Sequence, residues 1–383
     1  MYKYYNFFVD SFISAFSLFG IELHPITLNL ILPVGISFYT FQALSYTIDV
    51  YRGKLNATRD IVSFFAFISF FPQLVAGPIE RATNLLPQFQ KRREFDYTTA
   101  VDGTRQILWG LFKKMVIADN CADVVDMVWA DYSSQSSLML VIGAILFSFQ
   151  IYGDFSGYSD IAIGTAKLFG IKLMRNFNVP YFSRDIAEFW RRWHISLNTW
   201  FVDYIYIPLG GSREGKWKSF RNTMVIFLVS GLWHGANWTY VAWGAFHAIC
   251  FLPLLLMNKN RRFRDTVAEG RLLPTASEAA RMLGTFALAV FGWIIFRANS
   301  ITEFADYCSH IVSNIGIHSE IGGNKALFFV VFMLLVEWIN RGKEHPFQIG
   351  IKNRVLRWSF YLLIALLCLT QAGQQVQFIY FQF

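Results

Sequence analysis

The sequence predicts an all-α, polytopic integral membrane protein, and three observations carry that expectation. Of 383 residues, 54% are hydrophobic and only 16% charged, against roughly 25% charged in soluble domains. Residues 222–257, NTMVIFLVSGLWHGANWTYVAWGAFHAICFLPLLLM, run for thirty-six positions without Asp, Glu, Lys or Arg. Further apolar windows lie at 26–48, 61–79, 138–152 with its neighbours, 282–300, 326–340 and 358–372. A bilayer core needs about 20 apolar residues per helix, so roughly eight to ten spans or re-entrant helices are expected. Several windows are short or broken by Pro, Gly and polar residues, which a bilayer tolerates only where protein or a water-filled cavity covers the freed backbone groups. A buried pathway is expected for that reason.

Taken in order, the N-terminal stretch MYKYYNFFVDSFISAFSLFG has Asp10 in its apolar run and no small-residue cleavage site, so it does not read as a signal peptide. FQIYGDFSGYSDIAIG, 149–164, follows the apolar LMLVIGAILFS and carries Asp154 and Asp160 in membrane-like sequence. Its glycines and serines argue against a regular helix through 152–157. A carboxylate at membrane depth costs about 2.5–3.5 kcal/mol on insertion scales and normally faces a cavity or a partner. Asp160 is the better buried candidate, whereas Asp154 could cap the next helix from a loop.

RDIAEFWRRWHISLNTWFVDYIYIPLGG, 184–211, is amphipathic. Trp190, Trp193, His194, Leu197, Trp200, Phe201, Tyr204 and Ile205 recur at three- and four-residue steps, so one interfacial helix is expected, with His194 on its buried side, ended by Pro208, Gly210 and Gly211. Arg191, Arg192 and Asp203 fall off that stripe. The run 222–257 reads as a hairpin. Loops 210–221, 258–281 and 341–357 hold four, six and five basic residues against one, three and one acidic, while 301–325 holds one basic and three acidic. The first three are therefore placed at the cytoplasm and the last outside; the basic loop at 49–60 fits less cleanly.

The net charge of +8 is explained by these loops and does not indicate nucleic-acid binding. Cys121, Cys250, Cys308 and Cys368 form no C-x-x-C pair, which argues against a disulfide framework or a zinc site. No soluble domain, linker or fixed repeat is evident.

His234 lies twelve residues beyond Asn222, about 18 Å along a helix and hence near the middle of a roughly 30 Å core. A structural histidine bonded to a neighbouring helix is one account. The other is a reaction centre: Gly235 removes bulk beside the ring, leaving room for a substrate or a close backbone, Asn237 adds a polar group, and His194 is a second apolar-face histidine. An imidazole can take a proton from a hydroxyl near neutral pH. No G-x-S-x-G, H-E-x-x-H, P-loop, G-x-G-x-x-G or H-x-x-x-x-D pattern occurs. His247, thirteen residues past His234, would lie about 220° away on a continuous helix and reads as structural. His24 and His345, each before a proline, read as surface residues; His310 and His318 fall in the outer loop. Arg213, Lys216, Lys218 and Arg221 read first as cytoplasmic anchors.

RDIAEFWRRWHISLNTWFVDYIYIPLGG followed by SGLWHGANWTYVAWGAFHA, with FFPQLVAGPIERA at 70–82 and QIYGDFSGYSDIAIG at 150–164, closely resembles the membrane-bound O-acyltransferases, in the branch of bacterial alginate O-acetyltransferases. The resemblance implies helices around a central tunnel, and an acyl group, acetyl first of all, moved from a cytoplasmic donor to hydroxyls of an extracytoplasmic polysaccharide. It implies His234 as the catalytic histidine and His194 as the second. Asp160, Trp233, Asn237 and Asn198 are the further candidates for substrate or tunnel contacts. It implies no bound cofactor or metal, an acyl thioester such as acyl-coenzyme A as donor substrate, a periplasmic esterase-fold partner, and a multi-pass location in the bacterial inner membrane. Relatives in this branch carry further spans before a KYYNFF-like segment, here at 3–8, so one membrane domain over 1–383 without those first spans is expected. Direct transfer and a transient acyl-enzyme are both compatible with these residues. An acyl-passing channel that leaves the chemistry to a partner is the rival reading, and a structural scaffold the third.

Overall fold

Glycine and charge, more than apolar run length, set the central packing. The computed structural model describes residues 4–21, 23, 24, 27, 28, 33, 35–317, 322–371 and 378, and those residues contain helices and no strand. In chain order the helices are α1 Tyr5–Ser17, α2 Ile36–Tyr51, α3 Ile61–Ile68, α4 Ala82–Gln90, α5 Tyr97–Leu111, α6 Asp119–Ala130, α7 Ser137–Leu168, α8 Ile186–Arg192 and α9 Ile195–Phe201. They continue as α10 Lys216–His234, α11 Trp238–Leu256, α12 Ala276–Arg297, α13 Ile301–Ser313, α14 Asn324–Ile339 and α15 Arg354–Gln371. By length and composition α7, α11, α12 and α15 are each able to cross a membrane.

A π-helical stretch, Phe112–Ala118, joins α5 to α6 without a break. Apolar windows do not reveal this rod because Lys113, Lys114 and Asp119 interrupt it. It packs along α7 through a seam of glycines: a Cβ on Gly110 would meet the Gly157 carbonyl at 2.6 Å, and one on Gly103 the Gly164 carbonyl at 2.6 Å. In lipid, helices gain little from hydrophobic exclusion and associate through such close backbone contact. The same glycines correct the expectation of an irregular 152–157, since α7 runs through it. Asp154 is accordingly mid-helix and not a cap.

Other windows are shorter than their apolar length. In the 26–48 window, α2 begins at Ile36, after Gly35 at φ 76°. The 61–79 window leaves the helix after Ile68, four residues before Pro72. The outer segment 301–325 contains α13, and His318 lies outside the described residues.

The basic loop after α11 is held by arginines donating to its carbonyls. Arg191 reaches Asn260 and Phe263, Arg192 reaches Asp265, and Arg341 reaches Val267, Ala268 and Arg271. Arg184 binds the Asp265 carboxylate at 3.0 Å and Glu188 at 3.0 Å. Arg192, expected off the apolar stripe, is buried against Glu188.

Candidate active site

The chain reverses at residues 235–237, so His234 is the last residue of α10 and sits at the tip of the expected hairpin. Asn237 makes the turn: its Oδ1 accepts from Thr239 N at 3.0 Å, capping α11, and its Nδ2 donates to the Asn299 carbonyl at 2.8 Å. The space beside Gly235, expected to admit substrate or backbone, is filled by the Tyr240 ring, against which any Cβ would collide. His234 is 8% exposed and packs edge-on to Trp233, Trp243 and Phe296 at 4.9, 5.1 and 5.2 Å. Just beyond it, an open cavity of about 620 Å³ is lined by Asn6, Phe7, Asp10 and Ser11 of α1 and by Asn237 and Trp238.

The amphipathic segment is not one helix. It breaks between α8 and α9 at Trp193 and His194, and His194 adopts φ 44°, ψ 53°. A left-handed conformation costs a non-glycine residue roughly 1–2 kcal/mol, and such outliers cluster at functional sites. Val179 is strained in the same way, at φ 40°. The break persists because the chain at 176–178 runs beside it: Asn178 N donates to the Arg192 carbonyl and Ile195 N to the Asn176 carbonyl, each at 2.9 Å. Asn198 staples it internally, donating to the Trp190 and Trp193 carbonyls at 2.7 and 2.6 Å. Its amide nitrogen thus serves the backbone.

His194, 1% exposed, is enclosed by Phe155, Trp233, Phe177 and Phe38, with ring centroids 4.6, 5.9, 6.3 and 6.5 Å away. Its Nδ1 lies 3.1 Å from Asn176 Oδ1, and its Nε2 has no hydrogen-bond partner among the described residues. Both histidines pack on Trp233, so they share one indole as a neighbour. Trp233 is itself clamped by Phe38 and Phe41 at 5.5 and 5.6 Å.

A second polar group lies behind His194. Lys113 binds Asp160 at 2.6 Å and Ser156 at 2.8 Å, and Gln106 donates to Asp160 at 2.8 Å. Lys114 binds Asp154 at 2.9 Å and Asp119 at 2.8 Å. Asp154, 2% exposed, is the deeper carboxylate, reversing the expected order; the Asp160 side chain is 14% exposed. Tyr152 donates to Glu337 at 2.8 Å. Lys113, Asp160, Glu337, Ser159 and Asn176 surround a void of about 10 Å³, room for one water. Asp160 is therefore an ion-paired lining residue of this void, which Ser159 and Asn176 also line.

Three other histidines depart from expectation. His247 is not turned away from His234, because the hairpin puts them on different helices with Trp243 between, 5.1 Å from His234 and 5.0 Å from His247. His345 is buried, 3.1 Å from Asp102, because the loop after α14 folds back on α5. His310 sits on α13 and bonds the Asp306 carbonyl. His24 is exposed as expected. The sequence did not single out Asn176, Lys113, Lys114 or Glu337; a lysine pair within apolar sequence, matching two carboxylates within another apolar segment, was the available signal.

Residues 55–291 match the membrane-bound O-acyltransferase family, MBOAT. The chain belongs to this family. The match includes both histidines of this membrane-bound O-acyltransferase and the hairpin that carries His234. A protein of Azotobacter vinelandii described as a probable alginate O-acetylase is 43% identical over 300 residues, 78% of this chain and 57% of the relative. The Helicobacter pylori peptidoglycan O-acetyltransferase is 32% identical over 426 aligned positions, 98% of this chain and 79% of the relative. A teichoic acid D-alanyltransferase of Streptococcus thermophilus is 31% identical over 302, 74% and 72% respectively. The chain spans little more than half the length of the alginate relatives it matches.

Proposed function

We propose that this membrane protein is an O-acyltransferase, moving an acetyl-sized acyl group from a cytoplasmic thioester to hydroxyls of a cell-surface or secreted polysaccharide. The observation that carries the reading is the packing of both His194 and His234 against one buried indole, Trp233, at 5.9 and 4.9 Å between ring centroids. Similar proteins named for alginate, peptidoglycan and teichoic acid support a polymer acceptor outside the cytoplasm and favour alginate-like polysaccharide. A multi-pass inner-membrane location and a periplasmic esterase-fold partner that relays the acyl group complete the proposal.

In the reaction, the acceptor oxygen bonds to the thioester carbonyl carbon as the carbon–sulfur bond breaks. The hydroxyl proton ends on the departing sulfur, so the transfer neither consumes nor releases a proton overall. His234 takes that proton as general base and passes it on. The donor thioester is a substrate and supplies its own leaving group, so no cofactor is required. Replacement His234→Ala, with unfolding midpoint and yield unchanged, is expected to abolish O-acetylation of the polymer in cells, and full activity in that variant overturns the proposal. Acyl transfer by the purified protein alone rejects the acyl-passing channel, whereas strict dependence on a second protein favours it.

A further inference from the structure

The side chain of Asn176 meets His194 and Ser196 with one end and Ser159 with the other. Its Oδ1 is 3.1 Å from His194 Nδ1, 3.3 Å from Ser196 N and 2.8 Å from Ser196 Oγ, and its Nδ2 is 3.0 Å from Ser159 Oγ. The orientation of an asparagine amide is normally ambiguous, and so is the tautomer of a histidine. Here one neighbour has no such freedom. The backbone N–H of Ser196 can only donate, so the end of the amide facing it must be the oxygen. That oxygen cannot donate to His194, hence the Nδ1 of a neutral His194 carries the proton and its Nε2 carries the lone pair.

We propose that Asn176 is the positioning residue for His194: it holds the ring as the Nδ1–H tautomer and leaves Nε2 as a bare acceptor in the aromatic box shared with Trp233. The inference deepens the acyltransferase reading and rests on it for its chemical meaning. A neutral His194 so held cannot donate to negative charge developing on a carbonyl oxygen. It can accept a hydrogen bond from a hydroxyl, orienting the oxygen for attack, or take its proton. The two general roles open to a second histidine are thereby reduced to one. The unpartnered state of Nε2 fits the same assignment. A buried acceptor without a donor is destabilising, a cost that a bound hydroxyl would remove. The neighbouring structure over-determines the arrangement: Ile195 N also bonds the Asn176 carbonyl, and the Glu80 carboxylate, accepting from Met174 N and Asn84 Nδ2, anchors the chain two residues before Asn176.

The test reads the tautomer directly and does not require activity. The full chain, labelled with ¹⁵N-histidine and held in lipid nanodiscs, is compared with His194→Gln to identify the His194 resonances. A pyrrole-type Nδ1 and a pyridine-type Nε2 are expected, and the reverse pattern overturns the proposal. Asn176→Ala is expected to give a mixture of tautomers, with Ser196→Ala, which keeps the amide oxygen and the backbone N–H in place, leaving the wild-type pattern. An unchanged tautomer in Asn176→Ala also overturns it. Should Asn176→Ala fail to accumulate, the wild-type spectrum alone decides. In acyl-transfer assays Asn176→Ala is expected to lose roughly tenfold or more in kcat, the usual scale for loss of a group that orients an imidazole, with KM for the thioester little changed. Asn176→Asp retains the acceptor oxygen and is expected to recover most of that loss; equal kcat for the Ala and Asp variants overturns the proposal. Because the spectrum is independent of turnover, a correct tautomer in a protein that transfers no acyl group refutes the acyltransferase reading and leaves the positioning of His194 intact.

Discussion

His194 provides a substitution whose sign reports on the backbone. In a continuous helix, the arrangement the amphipathic pattern predicts, His194→Gly would be about 1 kcal/mol less stable than His194→Ala. The structure instead places residue 194 at φ 44°, ψ 53°, where alanine keeps the roughly 1–2 kcal/mol left-handed penalty and glycine does not. Against that stands glycine's greater loss of chain entropy, about 0.5–1 kcal/mol. The difference leaves glycine favoured by roughly 0–1.5 kcal/mol, where the helix expectation has it disfavoured. Both variants lose the same imidazole, its bond to Asn176 and its packing in the aromatic box, so those contributions cancel. Equilibrium unfolding in mixed detergent, followed by tryptophan emission, measures the difference. A His194→Gly protein less stable than His194→Ala by about 1 kcal/mol refutes the left-handed break.

Four further outcomes follow from the packing. Lys113→Met removes the cation 2.6 Å from Asp160, and removing one partner of a buried ion pair costs about 3–5 kcal/mol; adding Asp160→Leu is expected to recover part of the lost stability, which the same unfolding measurement would register. Gly110→Leu separates α5 from α7 and is expected to prevent accumulation of folded protein, read by size-exclusion chromatography in detergent. Gly235→Ala displaces the Tyr240 ring and is expected to cost about 1–3 kcal/mol, as overpacking does. Asp265, in the loop after α11, is held below the usual carboxylate range chiefly by its bond to Arg184, so its contribution is present above about pH 4 and disappears as pH falls through the lowered value. Unfolding midpoints taken from pH 6 downward should fall less steeply in Asp265→Asn than in the wild type if that pairing holds.

The features legible in the sequence were those with one-dimensional signatures. The uncharged run 222–257 became the α10–α11 hairpin, and of the stripe Trp190, Trp193, His194, Leu197, Trp200, Phe201, Tyr204 and Ile205 all but the half-buried Ile205 are buried. What escaped depends on a partner distant in sequence. Periodicity is preserved across the Trp193–His194 break because α8 and α9 both turn the stripe inward, and the break is stabilised by 176–178, whose role no local pattern discloses. Gly153 and Gly157 read as helix breakers until α5 is seen against them. Lys113 and Lys114 gain their meaning only once Asp154 and Asp160 are placed opposite. His345 read as exposed because a proline and basic residues surround it, yet Asp102, far earlier in the chain, draws it inside. Asn176 carries no signature at all, since an asparagine after a basic residue predicts a turn as readily as a histidine partner.

The length of α7 bears on how the protein sits in its host membrane. Its 32 residues extend about 48 Å at 1.5 Å each, well beyond a hydrocarbon core of roughly 30 Å, so the helix must lean or protrude. The glycine seam ties it to the equally long rod from Tyr97 to Ala130, and the pair must lean as one body. At the far end of α7, Lys167 binds Asp102 at 2.6 Å, and His345 binds the same carboxylate, moored where water can reach. A thinner or thicker bilayer would then change the inclination of this pair as a unit and carry Ser159, with the asparagine it holds, along with it. Lipid chain length thereby becomes a variable acting on the geometry around His194.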